Sequence, residues 1–251
     1  MRAELFYKPH LLAERISQEL TKRQRLRRLR GTCAAALTPN HIDSLELIEL
    51  AAKGGERVFY DIGANVGTWT QLCRALVPDS TIICFEPMEE HFAAFRQNME
   101  KLDRVRLFPV ALGSVEETRS FHPASFTDAS GFLPLNDEGR KLWRIENEMP
   151  REMKITTLDR VIAAVALPQP DLIKLDVQGF ELEVLKGAAA ALQQARWVLS
   201  EVSFKEFYEG QVLFSELAGF LSSQGYEVCA FGQSLRAGTI LAQVDVLFRR
   251  L

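Results

Sequence analysis

Residues whose types and spacing suit ligand chemistry gather around one turn, Gly63-Ala-Asn-Val-Gly67. Asp61 stands just before the turn and offers a carboxylate to a cation. Asn65 and the backbone N–H groups of the turn can donate hydrogen bonds to an anion. Glycine at positions 63 and 67 permits positive φ and lets the backbone approach a ligand where a Cβ would clash. The turn therefore suits a ligand that carries both an ammonium and a carboxylate group.

The spacing of these glycines argues against a dinucleotide, because the fingerprint G-x-G-x-x-G that makes room for a pyrophosphate is absent. The methionine end of S-adenosylmethionine carries an ammonium and a carboxylate without a phosphate, and we predict this compound as the cofactor. A strand-to-helix turn that holds no ligand is the competing interpretation of a lone glycine pair. The acidic residues downstream favour the cofactor.

Glu86 follows a second apolar run, Thr81 to Phe85, a little over twenty residues beyond Gly63. An acidic side chain at the tip of the second strand can accept hydrogen bonds from both ribose hydroxyls of an adenosine. Ala111 and Leu112 end the third apolar run, and their backbone is expected to border the adenine. The predicted cofactor-binding residues are Asp61, Gly63, Asn65, Gly67, Glu86, Ala111 and Leu112.

Three further carboxylates are candidates for the reaction itself. Asp176 ends the apolar run 171–177 and lies two residues from Lys174, so the two side chains share a strand face. Charges inside a central strand are costly unless they are paired or lie at its end. Asp176 is therefore the first candidate for a catalytic base or substrate-orienting group, followed by Glu181 and Glu201. A favourable position at a helix N-terminus explains Glu181 equally well.

These residues need a doubly wound α/β architecture that brings the carboxyl ends of several strands to one crevice. Apolar runs predict a strand before Gly63 and further strands at 81–85, 105–112, 171–177 and 197–202, with helices such as 68–76 and 214–223. Two final strands, 225–231 and 243–248, are predicted to form an antiparallel edge. The fold class is thus a seven-stranded, mostly parallel sheet.

Two segments lie outside this pattern. Residues 1–56 are predicted as a helical extension over the substrate side. Their basic stretch 22–30 is interpreted as a solvated helix face, with weak contact to an anionic membrane or contact with an acidic substrate as the alternatives. The insert 114–153, which carries His122, Asp128 and Ser130, breaks the alternation of strand and helix. We interpret it as a candidate lid.

Composition sets limits on function. The chain has 251 residues, 47% of them hydrophobic, and a net charge of −3, which gives no general reason to expect nucleic acid as a partner. No apolar run is long enough to span a membrane, and the N-terminus lacks the apolar core of a signal peptide. The four cysteines form no C-x-x-C pair, so a zinc site is not expected. We therefore expect a cytoplasmic protein; its oligomeric state is not predicted.

The segments DIGANVGTWT, CFEP, FPVALG, ITTLDRV and LIKLDVQGFELEVLKGA resemble the FkbM family of S-adenosylmethionine-dependent methyltransferases. The resemblance covers about residues 58–202 and implies a class I, Rossmann-like methyltransferase domain at 57–251. It also implies O-methylation of a hydroxyl on a small natural product or sugar. Asp61, Gly63, Asn65 and Gly67 would then hold the methionine end, with Glu86 on the ribose and Asp176 at the reaction centre. Family members often carry Glu where this chain has Gln178, so no metal dependence is predicted.

Other classes of protein remain as alternatives. A nucleic-acid methyltransferase usually shows an Asn/Asp-Pro-Pro-aromatic tetrad or a Pro-Cys nucleophile, and the sequence contains neither. An NAD(P)-binding oxidoreductase is disfavoured by the glycine spacing. A non-catalytic interaction protein that keeps the fold is the third alternative, and binding of S-adenosylmethionine would argue against it.

Overall fold

The computed structural model describes residues 9–125, 127–145, 149–237 and 240–251. The helices are α1 (Pro9–Arg28), α2 (Leu45–Ala52), α3 (Thr68–Leu76), α4 (Glu89–Met99), α5 (Asp137–Trp143), α6 (Leu158–Val165), α7 (Glu181–Lys186), α8 (Ala189–Gln194) and α9 (Phe214–Ser223). The strands are β1 (Val58–Ile62), β2 (Thr81–Phe85), β3 (Val105–Phe108), β4 (Ala111–Leu112), β5 (Glu117–Phe121), β6 (Arg151–Thr156), β7 (Leu172–Leu175), β8 (Trp197–Ser203), β9 (Tyr226–Ala237) and β10 (Ile240–Arg250).

Seven strands form the large sheet in the order β3-β2-β1-β7-β8-β10-β9. Neighbours from β3 to β8 are parallel, while β10 runs antiparallel to both β8 and β9. The strand order reverses between β1 and β7, which is where open α/β sheets bind ligands beyond their carboxyl ends. The predicted class I methyltransferase sheet, with its antiparallel last edge, is confirmed.

Alternate side chains of each strand enter two hydrophobic cores, one on each face of the sheet. Tyr60 belongs to the core that packs against α6, α7, α8 and α9. Its neighbour Phe59 belongs to the core that packs against α2, α3 and α4. Both faces of the central strands are therefore buried, which explains why these strands read as continuous apolar runs rather than as alternating patterns. The rigid sheet fixes the positions of the strand ends that carry polar residues.

The run 105–112 does not form the single strand that its sequence predicts. Val105–Phe108 pairs with β2 in the large sheet, whereas Ala111–Leu112 pairs with β6 in a separate three-stranded sheet of order β4-β6-β5. Pro109 lies at the break, and proline has no N–H to donate to a strand ladder. The chain therefore leaves the large sheet at Pro109, and β4 becomes the first part of a smaller sheet built largely by the insert.

An ion pair joins the two helices of the N-terminal extension, and apolar packing holds the extension against the sheet. Arg25 in α1 donates two hydrogen bonds to the Glu46 carboxylate in α2, at 2.7 and 2.5 Å. Leu29 is fully buried in the core beneath α2. Arg25 is buried while Arg27 is exposed, so the basic stretch both docks the helix and faces solvent. No helix among the described residues combines the length and apolar character needed to cross a bilayer.

The insert packs on the loop that follows β8. Trp143 at the end of α5 contacts the rings of Phe207 and Tyr208, with centroid distances of 5.5 and 5.6 Å. Asn136 caps α5 by accepting hydrogen bonds from the backbone N–H groups of residues 138 and 139, and its own amide donates to the backbone oxygen of Glu206. These contacts place part of the insert beside the crevice. Its action as a lid stays a prediction.

Candidate active site

A cavity of about 580 Å³ lies beyond the carboxyl ends of β1, β2, β7 and β8, within the size range of small-molecule sites. Its wall can be divided by the strands that contribute to it. The turn side, next to β1 and β2, comprises Gly63, Ala64, Asn65, Glu86, Ala111 and Leu112. The acidic side, next to β7, β8 and β10, comprises His41, Asp43, Ser44, Asp176, Glu201, Gln243 and Asp245. One cavity therefore joins most of the residues that the sequence singled out.

Gly63 is required by the backbone around it. It has φ +77°, and a Cβ there would overlap the backbone oxygen of Asp176, so only glycine lets β1 and β7 approach at this point. The N–H groups of Gly63 and Ala64 donate to Phe85 O at 3.0 and 3.1 Å. Because these N–H groups are engaged, the free N–H groups at the start of α3 are better placed to meet an anion than those of the turn.

Asp61 and Gly67 do not line the cavity. Asp61 has 0% exposure, and its carboxylate accepts hydrogen bonds from Lys174 Nζ at 2.9 Å and Thr70 Oγ1 at 2.6 Å. A Cβ on Gly67 would meet the side chains of Met99 and Phe95. The structure gives both residues a supporting role, and their predicted contact with a ligand stays a prediction. Asp61 ties β1 to β7 and α3, and Gly67 permits close packing of α4.

Burial raises the pKa of Asp61, and the nearby Lys174 opposes that shift. The Lys174 ammonium also lies 3.2 Å from Gly63 O and 3.7 Å from Asp176 Oδ2. Lys174 therefore lies under the junction of the two sides of the cavity. Its charge is matched mainly by Asp61, since that contact is the shortest of the three.

Glu86 lines the turn side, as the ribose assignment requires. Its Oε1 accepts the N–H of Met88 and its Oε2 accepts the N–H of Asn65, both at 2.8 Å. Each carboxylate oxygen has two lone pairs, so the buried carboxylate keeps capacity for two hydroxyl donors. Ala111 and Leu112 are buried in the same wall. The three residues thus lie together, although the adenosine contact itself stays a prediction.

Asp176 lines the acidic side, and its side chain is 41% exposed. Gln178 Nε2 donates to Asp176 Oδ1 at 2.7 Å, and the Tyr208 hydroxyl lies 2.8 Å from Gln178 Oε1. Gln178 has φ +54°, an uncommon value for a residue other than glycine. A short chain of hydrogen bonds therefore fixes the orientation of the Asp176 carboxylate, and Tyr208 begins it from the loop after β8.

Glu201 lies one strand further along the acidic side. It accepts a hydrogen bond from Gln243 Nε2 at 2.9 Å and is directly opposite Asp245 in the pairing of β8 with β10. Burial, and then the charges of Asp176 and Asp245, hold the pKa of Glu201 well above its ordinary value. Burial and then Asp176 raise the pKa of Asp245 to about 7. The pKa values of Glu201 and Asp245 are raised because Lys174 is the one cation of the described residues that opposes the mutual repulsion of these carboxyl groups and Asp176.

Glu181 lies in the first turn of α7, as its alternative interpretation expects, and its catalytic role stays a prediction. Its Oε1 accepts the backbone N–H groups of Val177 and Gly179, each at 3.1 Å. It is buried under the turn that follows β7, outside the residues that line the cavity. Burial raises its pKa to about 7. Glu181 therefore stabilises the turn that presents Asp176.

Several cavity residues escaped the sequence reasoning. His41, Asp43 and Ser44 come from the extension, where nothing in the local pattern marks them. Gln243 and Asp245 did carry a signal, because two polar residues alternate within an otherwise apolar strand and must therefore share a face. Only the register of β10 against β8 shows that this face is the one that bears Glu201.

Comparison of this chain with known proteins identifies its family. A family model described as Methyltransferase FkbM domain matches residues 61–228. The chain is 34% identical over 174 residues to the 2-O-methyltransferase NoeI of Sinorhizobium fredii, which covers 66% of this chain and 71% of that protein. It is 29% identical to the hexuronic acid methyltransferase AglP of Haloferax volcanii, over 58% of this chain and 55% of that protein.

A third relative is the 31-O-demethyl-FK506 methyltransferase FkbM of Streptomyces tacrolimicus, which is 27% identical over 210 residues. That match covers 74% of this chain and 79% of the relative. The family model spans both the glycine turn and the strands that carry Asp176 and Glu201. This chain is therefore a member of the FkbM methyltransferase family.

Proposed function

We propose that this protein transfers a methyl group from S-adenosylmethionine to a hydroxyl oxygen of a sugar or other small natural product. The observation that carries the proposal is the single cavity that joins Glu86 and the glycine turn to Asp176 across the reversal of strand order. Two of the three relatives are named for transfer to oxygen, and one is named for a hexuronic acid. These names support the type of acceptor.

The turn side fits this cofactor. Glu86 would hold the ribose hydroxyls, Ala111 and Leu112 would border the adenine, and the start of α3 would meet the carboxylate of the methionine part. Asn65 lines the same wall, and its amide donates to Asp128 Oδ1 at 2.8 Å. When bound, S-adenosylmethionine supplies a methyl group on a positively charged sulfur. The chain itself has to position the acceptor oxygen and keep water away.

Among the carboxylates of the acidic side, Asp176 is the one whose backbone packs directly against Gly63 of the glycine turn. Its orientation is fixed by Gln178, and it can accept a hydrogen bond from the reacting hydroxyl. That bond would aim an oxygen lone pair at the methyl group and stabilise the positive charge that develops on the oxygen. Glu201 lies one strand away and would contact the remainder of the acceptor. We assign the orienting role to Asp176.

The test combines calorimetry with a screen of hydroxylated acceptors that uses isotopically labelled methyl donor and mass detection. Wild type should bind S-adenosylmethionine and label at least one sugar or polyol. Asp176→Asn should lower kcat at least about 100-fold, as expected for loss of a group that acts on the reacting atoms, while the cofactor Kd stays within twofold. Glu86→Ala should weaken cofactor binding.

Each part of the proposal can fail separately. Wild-type protein that does not bind S-adenosylmethionine would favour the non-catalytic alternative. Unchanged turnover in Asp176→Asn would remove this residue from the mechanism. An unaltered cofactor Kd in Glu86→Ala would refute the ribose assignment.

A further inference from the structure

The acidic side of the cavity is dominated by carboxyl groups, which can accept hydrogen bonds from a ligand. Four carboxyl groups line it: Asp43, Asp176, Glu201 and Asp245. Two of its strands, β8 and β10, place Glu201 directly opposite Asp245, so two acidic side chains share one face at a distance of about 5 Å between Cβ atoms. Like charges this close destabilise each other unless a cation or a hydrogen-bond donor reaches them.

Each amide side chain of the cavity already uses one of its two N–H donors on a carboxylate, so at most one donor of each amide remains for a ligand. Asn65 donates to Asp128, Gln178 donates to Asp176 and Gln243 donates to Glu201, at 2.7 to 2.9 Å. The pattern recurs at three separate positions. A ligand that enters beside them meets the remaining carboxylate lone pairs.

Positive charge is equally scarce. Among the described residues that line the cavity, Lys174 is the one lysine or arginine. Its ammonium lies 2.9 Å from Asp61, a fully buried carboxylate, so much of its charge is already matched. Apart from the imidazole of His41, which lies among these carboxyl groups, no basic side chain of the described wall is therefore positioned to meet a negatively charged group of a ligand on the acidic side.

We propose that the acidic side selects an acceptor that presents only hydroxyl or ammonium donors around the reacting oxygen, and rejects one with a carboxylate or phosphate there. The inference rests on the proposed function, which requires an acceptor on this side. Hydroxyls and ammonium groups donate hydrogen bonds to carboxylates, whereas an anion would be repelled in a partly desolvated site. This preference is opposite to that indicated by the name of the hexuronic acid relative.

The experiment measures binding of three matched sugars, D-glucosamine, D-glucose and D-glucuronate, at about pH 8 in the presence of S-adenosylhomocysteine, because Asp245, whose pKa is raised to about 7, is then mostly ionised. The amino sugar and the neutral sugar should bind, and the uronate should bind at least about tenfold more weakly, with a smaller difference at high salt. Glu201→Gln and Asp245→Asn should each reduce the ratio between the Kd of the uronate and the Kd of the neutral sugar. Asp79→Asn is the matched control, since it removes the same charge from an exposed position outside the cavity wall.

The inference is overturned if the uronate binds as well as the neutral sugar, or if none of the three sugars binds. In either case, retained binding of S-adenosylmethionine and methyl transfer to another acceptor would leave the proposed function intact. Wild-type protein that fails to bind S-adenosylmethionine marks the failure of the proposed function instead. If Asp79→Asn reduces the ratio of these two Kd values as much as Asp245→Asn does, the preference does not come from the carboxyl groups of the acidic side, and the inference fails.

Discussion

Gln178 makes two contacts with the two ends of one amide, and the contact with Asp176 depends on its being an amide rather than an acid. Its Nε2 donates to Asp176 at 2.7 Å, while its Oε1 lies 2.8 Å from the Tyr208 hydroxyl. A glutamate at this position could still accept from Tyr208 but could not donate to Asp176 at neutral pH. The amide therefore fixes Asp176 and adds no further charge to the acidic side.

Gln178→Glu should lower kcat/KM roughly 10- to 150-fold near pH 7, because one lost charge-assisted hydrogen bond costs on the order of 1.5–3 kcal/mol. The acid limb of the pH profile should move to higher pH, because the negative charge of the new glutamate raises the pKa of the neighbouring Asp176. Cofactor affinity should stay unchanged. The measurement is the pH dependence of kcat/KM, with Tyr208→Phe as a milder variant that keeps the ring contacts. A profile that does not move would contradict this role.

The Asp61–Lys174 pair predicts an effect on stability rather than on chemistry. Lys174→Met leaves the fully buried Asp61 without its cation, and breaking a buried ion pair on one side costs about 3–5 kcal/mol. The double variant Asp61→Asn/Lys174→Met removes both charges and should recover most of that loss. Urea unfolding monitored by circular dichroism measures both variants. Equal destabilisation of the single and double variants would show that the pair is not the cause.

At the level of elements, local signals were enough wherever a turn residue marked the boundary. The bounds predicted for α3, β2 and α9 agree with the structure, because Gly67, Pro78 and Gly225 lie beside them. The run 105–112 was misread because its apolar residues are continuous in sequence. Its second part pairs with β6, more than forty residues away, and no local pattern contains that partner.

The N-terminal extension illustrates how an element outside the main sheet can complete a site. The bidentate contact of Arg25 with Glu46 joins α1 to α2, and the segment 41–44 between them supplies His41, Asp43 and Ser44 to the cavity wall. The sequence indicated that the extension covers the substrate side, but the three residues could not be named. Their selection depends on how the chain turns after α1, which is decided by packing.

Arg25→Ala should raise the KM for the acceptor severalfold, because truncation of a largely buried arginine loosens the segment 41–44. The cofactor Kd should not change, since no residue of the turn side comes from the N-terminal extension. Arg27→Ala is the matched control on the same helix, as Arg27 is exposed. Steady-state kinetics on both variants, with calorimetry for the cofactor, separates the two sides of the cavity. An equal effect of the two variants would contradict a docking role for Arg25.

Across the whole molecule, the site residues found from sequence are those at the ends of parallel strands, and the missed ones depend on long-range register. Asp176 and Glu201 end or nearly end their strands, so strand bounds alone placed them near the crevice. Asp245 lies within β10, and it faces the cavity only because β10 inserts between β8 and β9 in antiparallel register. Crowding of the acidic side is therefore a property of the assembled sheet.

That crowding should appear in the pH dependence of stability. The pKa of Asp245 is raised from 3.8 to about 7, first by burial and then by Asp176. A carboxyl with a raised pKa in the folded state contributes its stability below the unfolded pKa, and the contribution is lost as pH rises through the folded value. On account of this group, the protein becomes less stable between about pH 4 and pH 7, and the deficit persists above pH 7.

Asp245→Asn removes this deficit, so the variant should be more stable than wild type at pH 8 and nearly equal to it at pH 4. The full shift corresponds to about 4 kcal/mol, and because Asp245 is partly exposed we expect about 1–2 kcal/mol, or about 2–8 °C in Tm. Thermal unfolding of both proteins from pH 4 to pH 8 gives the difference directly, with Asp79→Asn as the control. A gain in stability together with weaker charge discrimination in the same variant would show that the acidic side is kept for function at the expense of stability. If Asp245→Asn is less stable than wild type at pH 8, the ionised Asp245 carboxylate does not destabilise the folded protein, and the prediction fails.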